Sequence, residues 1–522
     1  MKKRNLLLAF LFGMVCQAQA QQKPAPPKVE APKVAVGKEE EKKKSGQPLT
    51  LDPDMQLVGS NEVTIKGQKV PYKTVTGTMP VWDDAGEVVA GVFFTYYERT
   101  DVKNRAERPL IISFNGGPGS ASVWMHIAYT GPRILKIDDE GYPVQPYGIA
   151  DNPYSVLDVA DIVFVDPVNT GFSRIVKKDA PKSFFFGINA DIKYLANWVD
   201  TFVTRMNRWA SPKYLIGESY GTTRVSGLAL ELQNSHWMYL NGVVLVSPTD
   251  LGIKRDGPAA IALRLPYFAA TAWHHKVLEP TLQNKSLEAM LPEVEKFTVD
   301  VLLPAVAKGG SLTTEERNQV AKQMARYSGL PEKVILQNNL EISLNLFWKE
   351  LLRDKGYTVG RLDSRYLGID KRDAGESPDY NSELTSWLHS FTPPINMYLR
   401  EELKFKTDLQ YNMFGPVNPW DRSNDRTGES LRLAMAENPY LHVLVQSGYY
   451  DGACDYFNAK YNMWQMDPGG KFQSRMDWEG YKSGHMMYLR REDLQKSNED
   501  LRVFISKSLP TFGTPAKYDL KK

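Results

Sequence analysis

The chain has 522 residues, of which 42% are hydrophobic and 11% aromatic, a composition typical of a globular protein with a large core. Its 64 basic and 61 acidic residues nearly balance, which argues against general nucleic-acid binding. The sequence has no Cys-x-x-Cys pair, no His-Glu-x-x-His motif and no dense cluster of possible ligands, so we expect neither a metal site nor a cofactor.

The first 20 residues have the three parts of a secretory signal peptide. Residues 2–4 are basic, residues 6–15 are apolar, and residues 18–20 form a small-residue cleavage site. The apolar stretch is too short to span a bilayer comfortably, so we expect no stable membrane insertion after cleavage. Residues 1–20 therefore predict export to the periplasm or the extracellular space.

Residues 21–50 are rich in proline, lysine and glutamate and contain no aromatic residue. Such a segment buries too little apolar surface to offset the entropy lost on ordering, so we predict a disordered spacer. Signal cleavage would also remove Cys16 and leave Cys454 as the single cysteine. We therefore expect an exported protein without an intrachain disulfide, whose Cys454 is a structural thiol.

Short apolar runs that alternate with helical patterns predict an α/β fold. Residues 51–115 alternate in the manner of a hairpin that leads into a sheet. Continuous apolar runs, typical of strands buried on both faces, occupy residues 109–114, 159–166, 213–217, 241–247 and 440–448. Buried strands separated by helices predict a mostly parallel central sheet flanked by helices.

In residues 253–430 the alternation of apolar runs with helical patterns stops. These residues contain mainly amphipathic helical segments and aromatic-rich loops. We predict that they form a helical cap insertion over the strand ends, while residues 51–252 and 431–522 form the α/β core. Ligand sites in such cores lie at the carboxyl ends of the strands.

A Gly-Glu-Ser-Tyr-Gly motif at residues 217–221 follows one of these strands and precedes a helical pattern. Strand, tight turn and helix are the setting in which Gly-x-Ser-x-Gly presents a nucleophilic serine. Gly217 and Gly221 suit a turn too tight for side chains. Ser219 is therefore the predicted nucleophile, and an ordinary glycine-rich turn is the alternative.

A serine nucleophile needs a base and an orienting carboxylate, which α/β hydrolases supply in the order Ser, acid, His. Asp451 lies three residues after the last predicted strand, whereas Asp455 falls in a predicted helix. His485 lies in a glycine-preceded loop, whereas His442 lies inside an apolar run. We therefore predict the triad Ser219, Asp451 and His485.

An oxyanion needs two backbone N–H donors. The Asn-Gly-Gly-Pro-Gly turn at residues 115–119 directly follows a predicted buried strand. We predict that the N–H groups of Gly117 and Tyr220 form the oxyanion hole.

These motifs resemble the serine carboxypeptidase family of the α/β hydrolases, as a secreted member of bacterial type. The similar segments, between about residues 75 and 510, are NGGPGSAS, DNPYSVLDVADIVFVDPVNTGFSR, GESYGTTR, PYFAATAWHH, VLVQSGYYDGACDY and SGHMMY. The resemblance implies an α/β-hydrolase fold, peptide substrates and the same triad. It also implies that Asn115, Gly116 and Glu218 bind the terminal carboxylate of the peptide, with a proton shared between two carboxyl groups.

The sequence departs from the family pattern at three points. Tyr129 stands where the family usually has a second glutamate, and we expect it to line the substrate site. Ser113 stands where a tryptophan commonly precedes the asparagine, and the disulfides of many eukaryotic members are missing. The main prediction is a serine carboxypeptidase that works through an acyl-enzyme. An esterase or acyltransferase on the same scaffold and a non-catalytic envelope binding protein are the alternatives.

Overall fold

The computed structural model describes residues 49–511, 513–515 and 517–518. The predicted signal peptide and nearly all of the predicted spacer lie outside these residues. The strands are β1 Gln56–Ile65, β2 Gln68–Trp82, β3 Val88–Arg99, β4 Leu110–Phe114, β5 Arg133–Leu135, β6 Ile149–Asp151, β7 Asp161–Val165, β8 Arg174–Ile175, β9 Lys213–Glu218, β10 Gly242–Val246, β11 Thr358–Val359, β12 Leu367–Gly368, β13 His442–Gly448 and β14 Met476–Tyr481.

Helices connect and cover these strands. They are α1 Val123–Ala128, α2 Ile188–Arg205, α3 Tyr220–Ser235, α4 Pro258–Ala262, α5 Leu265–His274, α6 Pro280–Gln283, α7 Leu287–Phe297, α8 Leu303–Lys308, α9 Thr314–Ser328, α10 Glu332–Gln337, α11 Leu344–Glu350, α12 Ser382–Met397, α13 Thr427–Glu437, α14 Tyr456–Met466 and α15 Arg491–Ser508. None of the helices described here is both long and apolar enough to cross a lipid bilayer.

One mixed sheet organises the molecule. Its strand order is β1-β2-β3-β7-β4-β9-β10-β13-β14, and β8 pairs with β3. The neighbours from β1 to β7 are antiparallel, and those from β7 to β14 are parallel. The predicted mostly parallel sheet flanked by helices is confirmed, and the topology is that of an α/β hydrolase. The predicted hairpin extends to the three-stranded meander β1–β3.

The sheet is buried on both faces because its central strands are apolar throughout. β4, β7, β9 and β10 are buried at every residue. One core cluster contains side chains of α2, α3, α13 and α14, and the other contains side chains of α1, α12 and α15. This burial fixes the ends of the parallel strands, where Ser219 and Asp451 follow β9 and β13.

The helical stretch between β10 and β13 contains two packing arrangements. Helices α5, α7 and α9 share a third hydrophobic cluster with Tyr450, Tyr456 and Phe457. Helix α12 instead packs Trp387, Phe391 and Ile395 into a cluster of the sheet. The helical cap insertion and its boundaries at residues 253 and 430 stay predictions.

Candidate active site

Ser219 occupies a strained turn between β9 and α3. Its backbone has φ 57° and ψ −128°, a region that non-glycine residues rarely adopt. The Ser219 N–H donates to the carbonyl of Val246, at 3.0 Å, on the neighbouring strand β10. A Cβ at Gly217 would lie 2.2 Å from the carbonyl oxygen of Gly221, so the turn requires glycine there. The surroundings hold the serine in this conformation.

His485 and Asp451 form the predicted pair behind the serine. Nδ1 of His485 lies 2.6 Å from Oδ2 of Asp451, which is fully buried. The other carboxylate oxygen of Asp451 accepts hydrogen bonds from the N–H groups of Ala453, at 2.8 Å, and Cys454, at 3.0 Å. With Nδ1 bonded to the carboxylate, Nε2 of His485 remains for exchange of a proton with substrate or serine.

The electrostatics of His485 favour proton uptake. Burial lowers the pKa of its imidazole, but the charge and hydrogen bond of Asp451, together with the charge of Glu218, outweigh burial and raise it above the usual value. A base with a raised pKa accepts a proton readily and is protonated at mildly acidic pH.

Six of the nine predicted site residues line one cavity of about 400 Å³, and Asn115, Tyr129 and Asp451 do not line it. Ser219 and His485 both line it, and so do four other predicted site residues: Gly116, Gly117, Glu218 and Tyr220. Asp451 lies behind His485. The structure therefore brings the predicted nucleophile, base and oxyanion turn together around a space of ligand size.

The glycine turn after β4 packs directly against the serine. A Cβ on Gly116 would lie 2.5 Å from the amide nitrogen of Tyr220 and 2.9 Å from Cβ of Ser219. Gly117 has φ +104°, which favours glycine. Within residues 49–511, neither the Gly117 N–H nor the Tyr220 N–H donates to a backbone carbonyl. Both donors are thus available to an oxygen atom in the cavity.

Glu218 is a buried carboxyl group at the base of this cavity. Burial raises its pKa to about 7, even though His485 and the hydroxyl of Tyr488, which donates to Oε2, both lower it. Nδ2 of Asn115 faces Glu218 and Tyr488 and lowers the pKa of Glu218, but it makes no hydrogen bond of standard geometry. Asn115 therefore offers a free buried donor beside a carboxyl group that titrates near neutrality.

Tyr129 lies outside the cavity. Its hydroxyl donates to Oε1 of Gln446 at 2.7 Å, and its ring stacks on Tyr488 with centroids 4.8 Å apart. The structure does not bring Tyr129 to the residues that line the cavity, so any effect of this residue on substrate passes through Tyr488. Ser113 is also buried away from the cavity, on β4.

Tyr488 is a site residue that sequence reasoning missed. It lies three residues after His485 in a short 3₁₀ turn and is fully buried. Its hydroxyl donates a hydrogen bond to Glu218, for which the sequence offered no carboxyl partner. The signal for it was only its closeness to His485 in the sequence.

The helical stretch supplies further cavity residues that the sequence did not single out: Arg361, Leu362, Leu384, Trp387, Phe414 and Arg422. The carbonyl of Leu362 accepts the N–H of His485 at 2.7 Å, and the carbonyl of Arg361 accepts the N–H of Gly452 at 3.0 Å. These backbone bonds fix this wall of the cavity to the loops that carry the histidine and the aspartate.

Cys454 also lines the cavity, beside Asp451. One potential ligand atom each of Asp451, Cys454 and His485 lies within 4.8 Å of the others. Burial and the neighbouring Asp451 raise the pKa of the thiol well above its usual value, so it stays protonated. A protonated thiol and a histidine already bonded to Asp451 are a poor donor set for a metal ion.

The chain is similar in sequence to serine carboxypeptidases. The sequence model of a family described as serine carboxypeptidase matches residues 65–288, which include the glycine turn and Ser219. Serine carboxypeptidase-like 9 of Arabidopsis thaliana is 28% identical over 206 residues, which are 38% of this chain and 44% of that protein. Serine carboxypeptidase-like 36 of the same plant is 30% identical over 168 residues, 31% of this chain and 32% of that protein.

The chain thus spans less than half the length of these curated relatives. Among solved structures, a prohormone-processing carboxypeptidase of Saccharomyces cerevisiae superposes with a TM-score of 0.49 at 15% identity and covers 83% of this chain and 91% of its own. A thermophilic esterase of Thermogutta terrifontis has a TM-score of 0.34 at 11% identity and covers 83% of this chain and 99% of its own.

Proposed function

We propose that this protein is a serine carboxypeptidase, a function that the motifs and the family match over residues 65–288 support. It would remove carboxy-terminal residues from peptides through an acyl-enzyme. The observation that carries the proposal is one cavity in which a strained serine, a histidine bonded to a buried aspartate, and two free N–H donors meet.

The reaction follows from these positions. Oγ of Ser219 attacks the scissile carbonyl while Nε2 of His485 takes its proton. The oxyanion accepts hydrogen bonds from the N–H groups of Gly117 and Tyr220. The C–N bond breaks, the leaving amine takes the proton from His485, and the acyl group stays on the serine. Water, deprotonated by His485, then attacks the ester and releases the shortened peptide, and the proton returns to Ser219.

Recognition of the terminal carboxylate falls to Asn115 and Glu218. The free Nδ2 of Asn115 donates to the carboxylate, and protonated Glu218 donates a second hydrogen bond. With a pKa of about 7, Glu218 carries this proton below neutral pH and loses it above. An ionised Glu218 would repel an ionised substrate terminus, so binding of free acids weakens as the pH rises.

The test compares three matched substrates across pH: a peptide, its amidated twin and its ester. For the free acid, kcat/KM should rise as His485 loses its proton and fall above about pH 7 as Glu218 ionises. The amide and the ester should show only the rise. Glu218→Gln should remove the fall for the free acid, and for the ester it should only shift the rise to lower pH, because the charge of Glu218 raises the pKa of His485. Identical profiles for acid and amide, unchanged by Glu218→Gln, would contradict the proposal.

An esterase or acyltransferase on the same scaffold is the second candidate. The observation that favours it is the partner of Glu218, which is the hydroxyl of Tyr488 and not a second carboxyl group. A tyrosine cannot share a proton as two carboxyl groups do, so selection for a free terminus is weaker than a two-carboxyl site would give. Equal kcat/KM values for acid and amide, with a faster ester, would make this candidate the better one.

We also propose export, on the basis of the sequence of residues 1–20, with residues 21–50 as a spacer and residues 253–430 as a cap. We also propose a bacterial type, because the single cysteine expected after cleavage cannot form the intrachain disulfides of many eukaryotic members. The relatives named above are plant proteins. Amino-terminal sequencing of the protein purified from the cells and from their medium tests export. A mature chain that begins at Gln21 is the expected result, and an intact Met1 would contradict it.

A further inference from the structure

Two arginines that the proposed reaction does not use line the catalytic cavity. Arg361 follows β11 and Arg422 lies between α12 and α13, and both are exposed. Among the described residues, neither guanidinium has a carboxylate within ion-pair distance or donates a side-chain hydrogen bond. Both charges are therefore open to a ligand in the cavity.

Two other arginines near the site, Arg224 and Arg365, are paired with carboxylates and stabilise the fold. Nε of Arg224 binds Asp191 at 2.7 Å, and Arg365 binds Asp363 at 2.7 Å, each in a fully or nearly buried pair. Arg361 and Arg422 differ from these because neither makes an ion pair among the described residues, although the charge of Arg361 lowers the pKa of the buried Glu383. A guanidinium at a concave site with apolar walls attracts carboxylates and binds them with a fixed geometry.

The backbone holds both arginines in place around the triad. The loop of Arg361 is hydrogen-bonded to Gly452 and, through Leu362, to His485. Its charge acts on the base, since it lowers the pKa of His485. The residue before Arg422 is bonded on both sides, by Asp421 N–H to Phe186 at 3.2 Å and by Ile188 N–H to Asp421 at 2.9 Å.

The rest of the cavity offers little negative charge to these arginines. Among the described residues that line it, Glu218 alone is acidic, and it is buried with a pKa of about 7. The remaining wall near the arginines is largely apolar, with Trp124, Trp387 and Phe414. The cavity therefore favours a ligand with more negative charge than a single terminal carboxylate supplies.

We propose that Arg361 and Arg422 select acidic peptides, which carry aspartate or glutamate at one of the two residues that the scissile bond joins. This inference rests on the proposed carboxypeptidase function and names its substrate class. Asn115 and Glu218 take the terminal carboxylate in that reaction, so a second carboxylate, on a side chain, is left for the arginines.

The test uses peptide pairs that differ only by glutamate against glutamine, first at the terminal and then at the penultimate residue. In the wild type, kcat/KM should favour the glutamate peptide of at least one pair by about tenfold, as for one charge-assisted hydrogen bond. The ratio should shrink as salt rises, because exposed charges are screened. Arg361→Gln and Arg422→Gln should each lower the ratio, and the double variant should bring it close to one.

Arg426→Gln is the matched control, since Arg426 lies in the same loop as Arg422 but does not line this cavity. It should leave the ratio unchanged. Each ratio compares two peptides on one variant, so a change in the pKa of His485 cancels. Equal rates on both members of every pair in the wild type would overturn the inference while the proposed function stands.

Failure to hydrolyse either member of any pair would instead contradict the proposed function. The inference would then be decided by calorimetric binding of the same peptides to the Ser219→Ala variant. Tighter binding of a glutamate peptide, lost in Ser219→Ala/Arg361→Gln/Arg422→Gln, would support selection for acidic ligands. Equal binding of both members of every pair would overturn it.

Discussion

The two walls of the cavity are built differently. The wall at the strand ends holds Ser219, His485 and the glycine turn, where a single added Cβ would strike neighbouring backbone. The second wall, from the loops between β11 and α13, presents Arg361, Arg422 and Phe414, all of which are exposed. We infer that the first wall fixes the chemistry and tolerates little change, while the second sets substrate preference and can vary.

The largest effect is expected at the first wall. Ser219→Ala and His485→Ala should each lower kcat by about 10⁴- to 10⁶-fold, and the double variant should be little worse, because the members of a triad act as a unit. Steady-state kinetics, with circular dichroism as the folding check, measure this. His442→Ala is the control, since His442 lies at the start of β13, away from the cavity. Inactivation by His442→Ala with a harmless His485→Ala would show that the base is misassigned.

Gly116→Ala tests the close packing of the same wall. Its Cβ would press on the Tyr220 amide and on Ser219, so the oxyanion donors and the nucleophile should separate. We expect kcat to fall by about 10²- to 10³-fold, as for the loss of an oxyanion donor. Gly310→Ala is the control, because a Cβ there would meet nothing within 4 Å. Full activity of Gly116→Ala would mean that this wall is more adaptable than its contacts indicate.

Tyr488→Phe should shift the alkaline side of the pH profile for free-acid substrates. The hydroxyl of Tyr488 lowers the pKa of Glu218, so its loss should raise that pKa further and shift the alkaline fall of free-acid hydrolysis to higher pH. Tyr129→Phe should leave the limb in place, because the Tyr129 hydroxyl binds Gln446. A shift caused by Tyr129→Phe and none by Tyr488→Phe would reverse the roles of the two tyrosines.

The smallest effect is expected at Cys454. Cys454→Ser keeps the backbone N–H that binds Asp451, so most of the activity should remain. Alkylation of the wild-type thiol should slow turnover, because Cys454 lines the cavity and the added group would occupy it. Loss of all activity in Cys454→Ser would overturn the structural interpretation of this residue.

The sequence predicted the elements that a regular local pattern of residues marks. β4, β7, β9, β10 and β13 are central strands, and each appears in the sequence as a continuous apolar run. β14 was missed because it is an edge strand whose residues are mostly half-buried, so no apolar run marks it. Ser219, Asp451 and His485 could be predicted because each follows a recognisable strand or glycine signal.

The cavity residues that the sequence did not reveal come from irregular backbone. Arg361 and Arg422 are far apart in the chain, and the long loops that carry them bring both to the cavity. Tyr488 donates the hydrogen bond to Glu218, and Tyr129, which was expected to line the substrate site, binds Gln446 instead. No periodic pattern in the sequence marks these two contacts, because they depend on which side chains the folding of the chain brings together.

Labelling with a fluorophosphonate, followed by peptide mass spectrometry, tests the central claim most directly. Such a probe forms a phosphonyl ester only with a serine that a neighbouring base activates. We predict a single adduct on Ser219 that forms rapidly in the wild type, slows greatly in His485→Ala and is absent in Ser219→Ala. A folded wild-type protein that is not labelled, or an adduct on another residue that persists in Ser219→Ala, would contradict the account.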